Sequence, residues 1–160
     1  MRGGEQQSEW KRLQAAKILR QRVDSIFFCQ PQASILIMGD LNGRANTAAL
    51  KALEARNTNV RDFVNANIYN TGYYLLRARY GSYYYQGKWM TIDHLIVSGS
   101  LLNGSSALQV SPRLQVFRDA FLLEEDKKYF GWKPKRTYLG PRYVGGYSDH
   151  LPIYVDLKRE

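Results

Sequence analysis

Short polar side chains follow an apolar run near position 40 and could bind a phosphate. The apolar residues 35–38 precede Gly39, Asp40 and Asn42. A continuous apolar run without alternation is typical of a central strand that is buried on both faces. If the chain is still extended at its end, Asp40 and Asn42 point the same way and set a carboxylate beside an amide. That pair suits a phosphate site, although Gly-Asp-x-Asn is also an ordinary strand-to-turn sequence.

A second group of reactive side chains, Ser148, Asp149 and His150, follows a pair of glycines at 145–146. Glycines permit an unusual backbone turn, and Asp149 can reach a metal ion. The two nitrogens of His150 can bind a phosphate and an orienting carboxylate at the same time. A Ser-His-Asp protease triad is the competing arrangement, but Ser148 lacks a nucleophile-elbow sequence.

The run Ile92–Val97 predicts a strand in which Asp93 and His94 face opposite sides. His94 shares its face with isoleucines, which is more typical of a core histidine than of a ligand. Asp93 lies on the other face among apolar residues, where a carboxylate needs a charged or hydrogen-bonding partner. We therefore expect Asp93 to orient His150.

A basic, aromatic-rich stretch from Lys127 to Ser148 leads into the second group and contains no acidic residue. Such a stretch can follow a phosphate backbone with its cations and stack bases on its aromatic rings. The same composition also fits a solvated loop that its aromatic residues hold in place. The residues expected to contact a substrate are Lys133, Lys135, Arg136, Tyr138 and Arg142.

Composition and charge narrow the class of protein. The chain has 160 residues, of which 44% are hydrophobic, and this predicts one folded domain over residues 1–160. A net charge of +9 favours a phosphorylated or polyanionic partner, although a basic surface also serves solubility. Cys29 is the only cysteine, which excludes an intrachain disulfide, and we expect it to be packed as an apolar residue. No apolar run is long enough to span a membrane, and the sequence indicates no compartment.

The elements that position these residues alternate between helix and strand. Apolar residues at helical spacing from Trp10 to Ile26 predict a helix that is capped by Ser8 and ends before Pro31. Residues 57–81 show no clean periodicity and predict an irregular connection. A final strand, Leu151 to Leu157, is expected to close the sheet. This order predicts an α/β layer.

Three segments carry a family resemblance: Gly39–Asn42, Trp89–Val97 and Ser148–Ile153. In this order they resemble the three C-terminal motifs of the endonuclease/exonuclease/phosphatase superfamily, which has the DNase I-like fold. The resemblance extends from Ile35 to Leu157. It implies half of a four-layer α/β/β/α sandwich, with a mixed, largely antiparallel sheet and helices on one face.

The resemblance also implies a role for each site residue. Asp40 and Asn42 would contact the attacking water and the scissile phosphate, and Asp93 would orient His150 for binding or protonating the phosphoryl group. Asp149, together with Asp40, would hold Mg²⁺ or Mn²⁺. The reaction would be metal-assisted attack of water on a phosphodiester or phosphomonoester. Whether Asp40 or His150 accepts the proton of the water stays open.

The sequence departs from the family in its first part. Members supply an Asn, a metal-binding Glu and a further His or Tyr from an N-terminal half, whereas the acidic residues before Asp40 here are Glu5, Glu9 and Asp24, in or beside the first helix. The segment Arg2–Glu9 resembles the one just after a His-Trp-Pro-Ser-Arg-type motif in bacterial relatives. We therefore expect weak or absent metal binding and incomplete activity.

Two partners are expected besides a phosphate-ester substrate such as nucleic acid. The uncovered face of the sheet would pack against the missing N-terminal half or against a second copy of the chain. The alternative functions are a noncatalytic basic module that binds nucleic acid or anionic lipid, and an inactive structural fragment.

Overall fold

The structure is a computed structural model that describes residues 4–159, with side chains from residue 8 onward; Arg2 and Gly3 lie outside this range. The helices are α1 (Gly4–Cys29) and α2 (Ala48–Lys51), and 3₁₀ turns lie at Tyr73–Arg77, Gly99–Leu101 and Ala120–Leu122. The strands are β1 (Leu36–Asp40), β2 (Arg56–Asn57), β3 (Ile68–Asn70), β4 (Tyr83–Tyr85), β5 (Lys88–Met90), β6 (Asp93–Ser98), β7 (Leu108–Val110), β8 (Gln115–Val116), β9 (Leu123–Glu125), β10 (Trp132–Pro134), β11 (Tyr138–Leu139), β12 (Arg142–Tyr143), β13 (Ile153–Tyr154) and β14 (Leu157–Arg159). The predicted α/β class is confirmed. No helix among these residues is long and apolar enough to cross a membrane.

Helix α1 packs on one face of the main sheet, beside α2. Its buried residues Ala16, Val23 and Phe27 share one core cluster with residues of α2 and of the sheet. Because successive residues of a helix point about 100° apart, Cys29 does not share the direction of Phe27, and it is exposed. The expectation that Cys29 is packed is therefore wrong.

The ends of α1 agree with the sequence at one terminus only. The helix ends at Cys29, before Pro31, as predicted. It begins at Gly4, so Ser8 lies inside the helix and not at its N-cap. There the Ser8 hydroxyl accepts a hydrogen bond from Arg12. Trp10 is 61% exposed and is not on the buried face.

The main sheet has the strand order β1-β6-β3-β2, with β6 at its centre. Strands β1 and β3 run antiparallel to β6, and β2 runs parallel to β3. Strand β3 lies within the stretch that the sequence predicted to be irregular. All of its residues are buried, and its short length leaves no periodic signal. That part of the sequence prediction is wrong.

Strand β1 lies at the edge of the sheet, which corrects the prediction of a central, doubly buried strand. It pairs with β6 only, and Ile37 points toward the helices. On the other face Leu36 is 38% exposed and Met38 is 66% exposed. Strand β1 is apolar on both faces, but within the described residues only the face that carries Ile37 is packed. The face that carries Leu36 and Met38 is open.

A second, smaller layer covers the rest of that face. The paired strands β7/β14 and β8/β13 pack against Leu95 and Val97 of β6 through Val110, Leu114 and Val155. The segment that was predicted to close the sheet is therefore two short strands in this second layer. Apolar residues on β13 find partners across the interior rather than along the sheet edge.

Three hairpins complete the chain. In the β4/β5 hairpin, Gln86 and Gly87 both have positive φ, 46° and 79°, as a two-residue turn that follows the twist of the strands requires. The hairpins β9/β10 and β11/β12 occupy most of the stretch that the sequence predicted to be a long loop.

We predict that the open face of β1 drives self-association, because exposed apolar side chains on a sheet face favour contact with another chain. Met38→Lys should shift the protein toward monomer in size-exclusion chromatography with light scattering. Ile18→Lys is the matched control, since Ile18 lies on α1 and is also 66% exposed. A wild-type chain that is monomeric at all concentrations would contradict this prediction.

Candidate active site

The register of the β1–β6 pair brings two carboxylates to one edge of the sheet. Asp40, the last residue of β1, lies directly opposite Asp93, the first residue of β6. The backbone then turns, because the amide of Asn42 donates to Asp40 Oδ1 at 2.8 Å and Asn42 has a φ of 52°. The sequence presented an extended pair or a turn, and the structure contains the turn. Asp40 is exposed at this edge.

His150 contacts Asp93 from a different part of the chain. Its Nδ1 donates to Asp93 Oδ2 at 2.8 Å, so the contact that the sequence predicted is present. Ser82 donates its hydroxyl hydrogen to the same oxygen. Ser82, which directly precedes β4, thereby supports the pair. No local pattern predicts this role, because a serine before a strand is common.

Strand β4 holds His150 in place. Tyr83 forms an antiparallel bridge with His150, and the amide of Leu151 donates to Ser82 O at 2.7 Å. The rings of Tyr83 and His150 lie 4.7 Å apart between centroids. The amide of His150 also donates to Ser148 Oγ at 3.0 Å, which gives Ser148 a structural contact. These contacts fix the imidazole before any substrate arrives.

Each partner of the Asp93–His150 pair favours the charged form of the other. The hydrogen bond to Asp93 raises the pKa of His150 above its ordinary value, partial burial opposes it, and the charges of Asp93, Asp149 and Asp40 add to the increase. Burial alone would raise the pKa of Asp93, but the hydrogen bonds from His150 and Ser82 outweigh it and lower the pKa. The pair is therefore ionised between the lowered pKa of Asp93 and the raised pKa of His150.

His94, the other histidine, is a core residue as the sequence predicted. It is 1% exposed, its Nδ1 accepts from Asn70 Nδ2 at 3.0 Å, and its Nε2 donates to Gly43 O at 2.8 Å. The amide of Gly72 donates to Asn70 Oδ1, which fixes the orientation of the Asn70 amide. Burial lowers the pKa of His94, so the ring is neutral with its hydrogen on Nε2.

The donors available for a metal ion are few. Asp40 and Asp149 are both exposed, and the charges of both raise the pKa of His150. Across residues 4–159, no group of three or more His, Cys, Asp or Glu side chains could hold a metal ion. Mg²⁺ is usually held by one or two carboxylates with substrate oxygens and waters. Asp40 and Asp149 therefore fit part of a magnesium site.

The basic residues lie at different distances from this edge. Lys135 O accepts from the amide of Tyr147, and Arg136 Nη2 donates to Tyr84 O at 3.4 Å, so these two lie beside the His150 segment. Lys133 Nζ lies 3.5 Å from Glu124, which partly neutralises its charge. Tyr138 and Arg142 lie on the exposed β11/β12 hairpin, where Tyr138 packs against Tyr143.

Comparisons with known proteins agree with this fold. A profile of the Endonuclease/Exonuclease/phosphatase family matches residues 1–159, and the chain belongs to that family. The fold is similar to a crystal structure of an endonuclease/exonuclease/phosphatase family protein from Bacteroides thetaiotaomicron, with a TM-score of 0.51 and 14% identity. The similarity covers 93% of this chain and 44% of that one, so this chain spans less than half the length of that structure. A search of curated proteins found no match.

We predict that the pKa values of the two histidines are shifted in opposite directions, because Asp93 raises the pKa of His150 while burial lowers the pKa of His94. In ¹H–¹³C NMR spectra recorded with EDTA, one histidine should titrate above pH 6.5 and the other below it. Asp93→Asn should lower the pKa of His150, which loses the carboxylate that accepts its hydrogen bond, and should lower the pKa of His94 less, because His94 loses only the nearby charge. Two histidines that titrate together would contradict the assigned contacts.

Proposed function

We propose that the chain carries the Asp-His portion of the active site of a Mg²⁺-dependent phosphoesterase or nuclease. The observation that carries this proposal is the bond from His150 to Asp93 at the end of the sheet where Asp40 lies opposite Asp93, with the charges of Asp40 and Asp149 both acting on His150. Paired carboxylates beside an oriented imidazole can hold a metal ion, activate water and stabilise charge on a phosphoryl oxygen. Family membership supports phosphate-ester hydrolysis as the reaction class.

The chemistry assigned to each residue follows from its contacts. Because His150 Nδ1 bonds to Asp93, its Nε2 is left to donate to a phosphoryl oxygen, and no residue of 4–159 occupies that nitrogen. One oxygen of Asp40 accepts from the amide of Asn42 and would also contact the metal ion, and we assign the other oxygen as acceptor of the proton from the attacking water. The new bond joins the water oxygen to phosphorus, and the bond from phosphorus to the leaving oxygen breaks. The side-chain amide of Asn42 would donate to the phosphate.

Asp40 and Asp149 would hold the metal ion. When bound, Mg²⁺ supplies positive charge that offsets the charge gathering on the phosphate oxygens. Two protein carboxylates leave most of the coordination to water and substrate, so we expect weak metal binding and slow turnover by this chain. Lys135 and Arg136 would attract the substrate, while Lys133, Tyr138 and Arg142 would extend the contact along it.

We further propose that the open face of β1 takes the second half of the site. A partner there would bury Leu36 and Met38 next to Asp40, within the same edge of the sheet. An N-terminal half or a second copy of the chain could each occupy it. The ligands that complete the metal site would come from that partner.

The first test is a double-mutant cycle on the hydrolysis of bis-p-nitrophenyl phosphate with Mg²⁺. We expect Asp93→Asn and His150→Ala each to lower the rate by about 10²-fold, the usual contribution of a positioned proton donor. The double variant should lose little more than the worse single one, because the two residues act as a unit.

His94→Gln is the control for this cycle. It disturbs two buried hydrogen bonds and should lower the free energy of unfolding by about 1–3 kcal/mol while the folded protein keeps its rate. Loss of turnover in folded His94→Gln with normal His150→Ala would reverse the assignment. A wild-type protein that binds an oligonucleotide but shows no Mg²⁺-dependent cleavage would favour the noncatalytic basic module.

The second test measures the metal ion directly. Mn²⁺ binding can be followed by electron paramagnetic resonance, and we expect weak affinity that falls further in Asp149→Asn and in Asp40→Asn. Glu124→Gln is the matched control, because Glu124 pairs with Lys133 on the β9/β10 hairpin. Equal Mn²⁺ affinity in Asp149→Asn and Glu124→Gln would remove Asp149 from the proposed ligands.

A further inference from the structure

A cationic cavity of about 650 Å³ lies beside β2, the edge strand at the other end of the strand order from β1. Its walls come from the end of β2, from the 3₁₀ turn Tyr73–Arg77 and from the loop before β8. It is separate from the group around His150, none of which contributes to its lining. The lining residues are Asn57, Thr58, Asn59, Tyr73, Tyr74, Arg77, Pro112 and Arg113.

The lining has hydrogen-bond donors and two positive charges but no carboxylate. Within residues 4–159, neither Arg77 nor Arg113 forms an ion pair. Burial, together with a hydrogen bond to Tyr80, raises the pKa of Tyr74 to about 12, so this hydroxyl adds no negative charge at neutral pH. Two unpaired guanidinium groups in one cavity favour an anionic ligand, and guanidinium geometry matches phosphate.

The walls of the cavity are held by contacts to the main sheet. The Arg113 guanidinium lies 5.6 Å from the centre of the Tyr74 ring, and Tyr74 donates its hydroxyl to Leu114 O at 2.7 Å. The amide of Leu114 in turn donates to Thr71 O, just after β3. The cation of Arg113 is therefore positioned by packing and not by an acidic partner, which leaves its donors for a ligand.

The cavity lies beside β2, in the same sheet as the candidate active site. Strands β1, β2 and β3 all run toward the edge at which β6 begins with Asp93. Strands are spaced about 4.8 Å apart and rise about 3.3 Å per residue; the end of β2 is two strands from β6 and level with Ile96, so it lies roughly 14 Å from Asp93. That separation corresponds to a few nucleotides, since phosphates of one strand in a duplex rise by about 3.4 Å each.

We propose that this cavity binds a phosphate group, and that it takes a second phosphate of the substrate whose scissile phosphate lies between Asp40 and His150. The second clause rests on the proposed function, whereas phosphate binding by Arg77 and Arg113 does not. A substrate with phosphates at two places, such as a nucleic acid strand, would be held at both. A substrate with one phosphate would gain nothing from the cavity.

The test compares Arg77→Gln/Arg113→Gln with Arg79→Gln, an exposed arginine of the same segment that does not line the cavity. A fluorescein-labelled, single-stranded thymidine dodecamer is titrated in EDTA, so that binding is measured without cleavage. We expect the double variant to raise Kd about tenfold and to lower the salt dependence by about one phosphate contact, with little change in Arg79→Gln.

A second variant covers the case in which the arginine changes unfold the protein. Asn59→Asp puts a negative charge on the opposite wall without touching the packing of Arg113 on Tyr74, and it should weaken binding similarly. Inositol hexakisphosphate serves as a competitor: displacement of the dodecamer in wild type but not in the double variant assigns the cavity to phosphate groups in general. Failure to displace it assigns the cavity to a phosphate on a strand.

Turnover separates this proposal from the proposed function. The double variant should hydrolyse bis-p-nitrophenyl phosphate, which has one phosphate, at the wild-type rate, and should lose about tenfold in kcat/KM on the dodecamer. Equal dodecamer affinity in the double variant and in Arg79→Gln would overturn the cavity assignment. Absence of any turnover by wild type with an intact difference in affinity would overturn the proposed function, and with it the assignment of a second substrate phosphate, while phosphate binding by the cavity would stand.

Discussion

The antiparallel register between β1 and β6 is the constraint on which the rest of the structure depends. It sets Asp40 opposite Asp93 and Met38 opposite Leu95. Because side chains alternate along a strand, a shift of one residue would turn Asp93 toward the helices and His94 toward His150. The apolar residues of β6, packed against the helices on one face and the second layer on the other, prevent that shift.

The two histidines show how packing assigns a chemical role to one residue type. Both lie at the same end of the sheet, yet His94 has a buried amide and a carbonyl as neighbours, whereas His150 has a carboxylate. The first environment favours a neutral ring and the second favours imidazolium. Only the second ring keeps a nitrogen directed at a place where a phosphate could bind.

The main sheet, which carries Asp40 and Asp93, is open at β1. The second layer covers β6 and β3 but leaves Leu36 and Met38 exposed. Asp40 lies on the same strand, two residues beyond Met38, so whatever covers the apolar surface would also approach the candidate site. The open face of β1 and the candidate site are therefore adjacent in this fold.

Local patterns in the sequence determined some of these features and not others. Helical spacing predicted α1, alternation predicted that Asp93 and His94 face opposite sides, and the short motifs predicted a contact between Asp93 and His150. These signals are local, or depend on residue types with few alternative uses. Only the tertiary structure decided that β1 is an edge strand and that Ser82 supports Asp93, because pairing between distant segments leaves no local periodicity. The Arg77–Arg113 cavity depends on the same kind of pairing, since its two arginines are 36 residues apart in the chain.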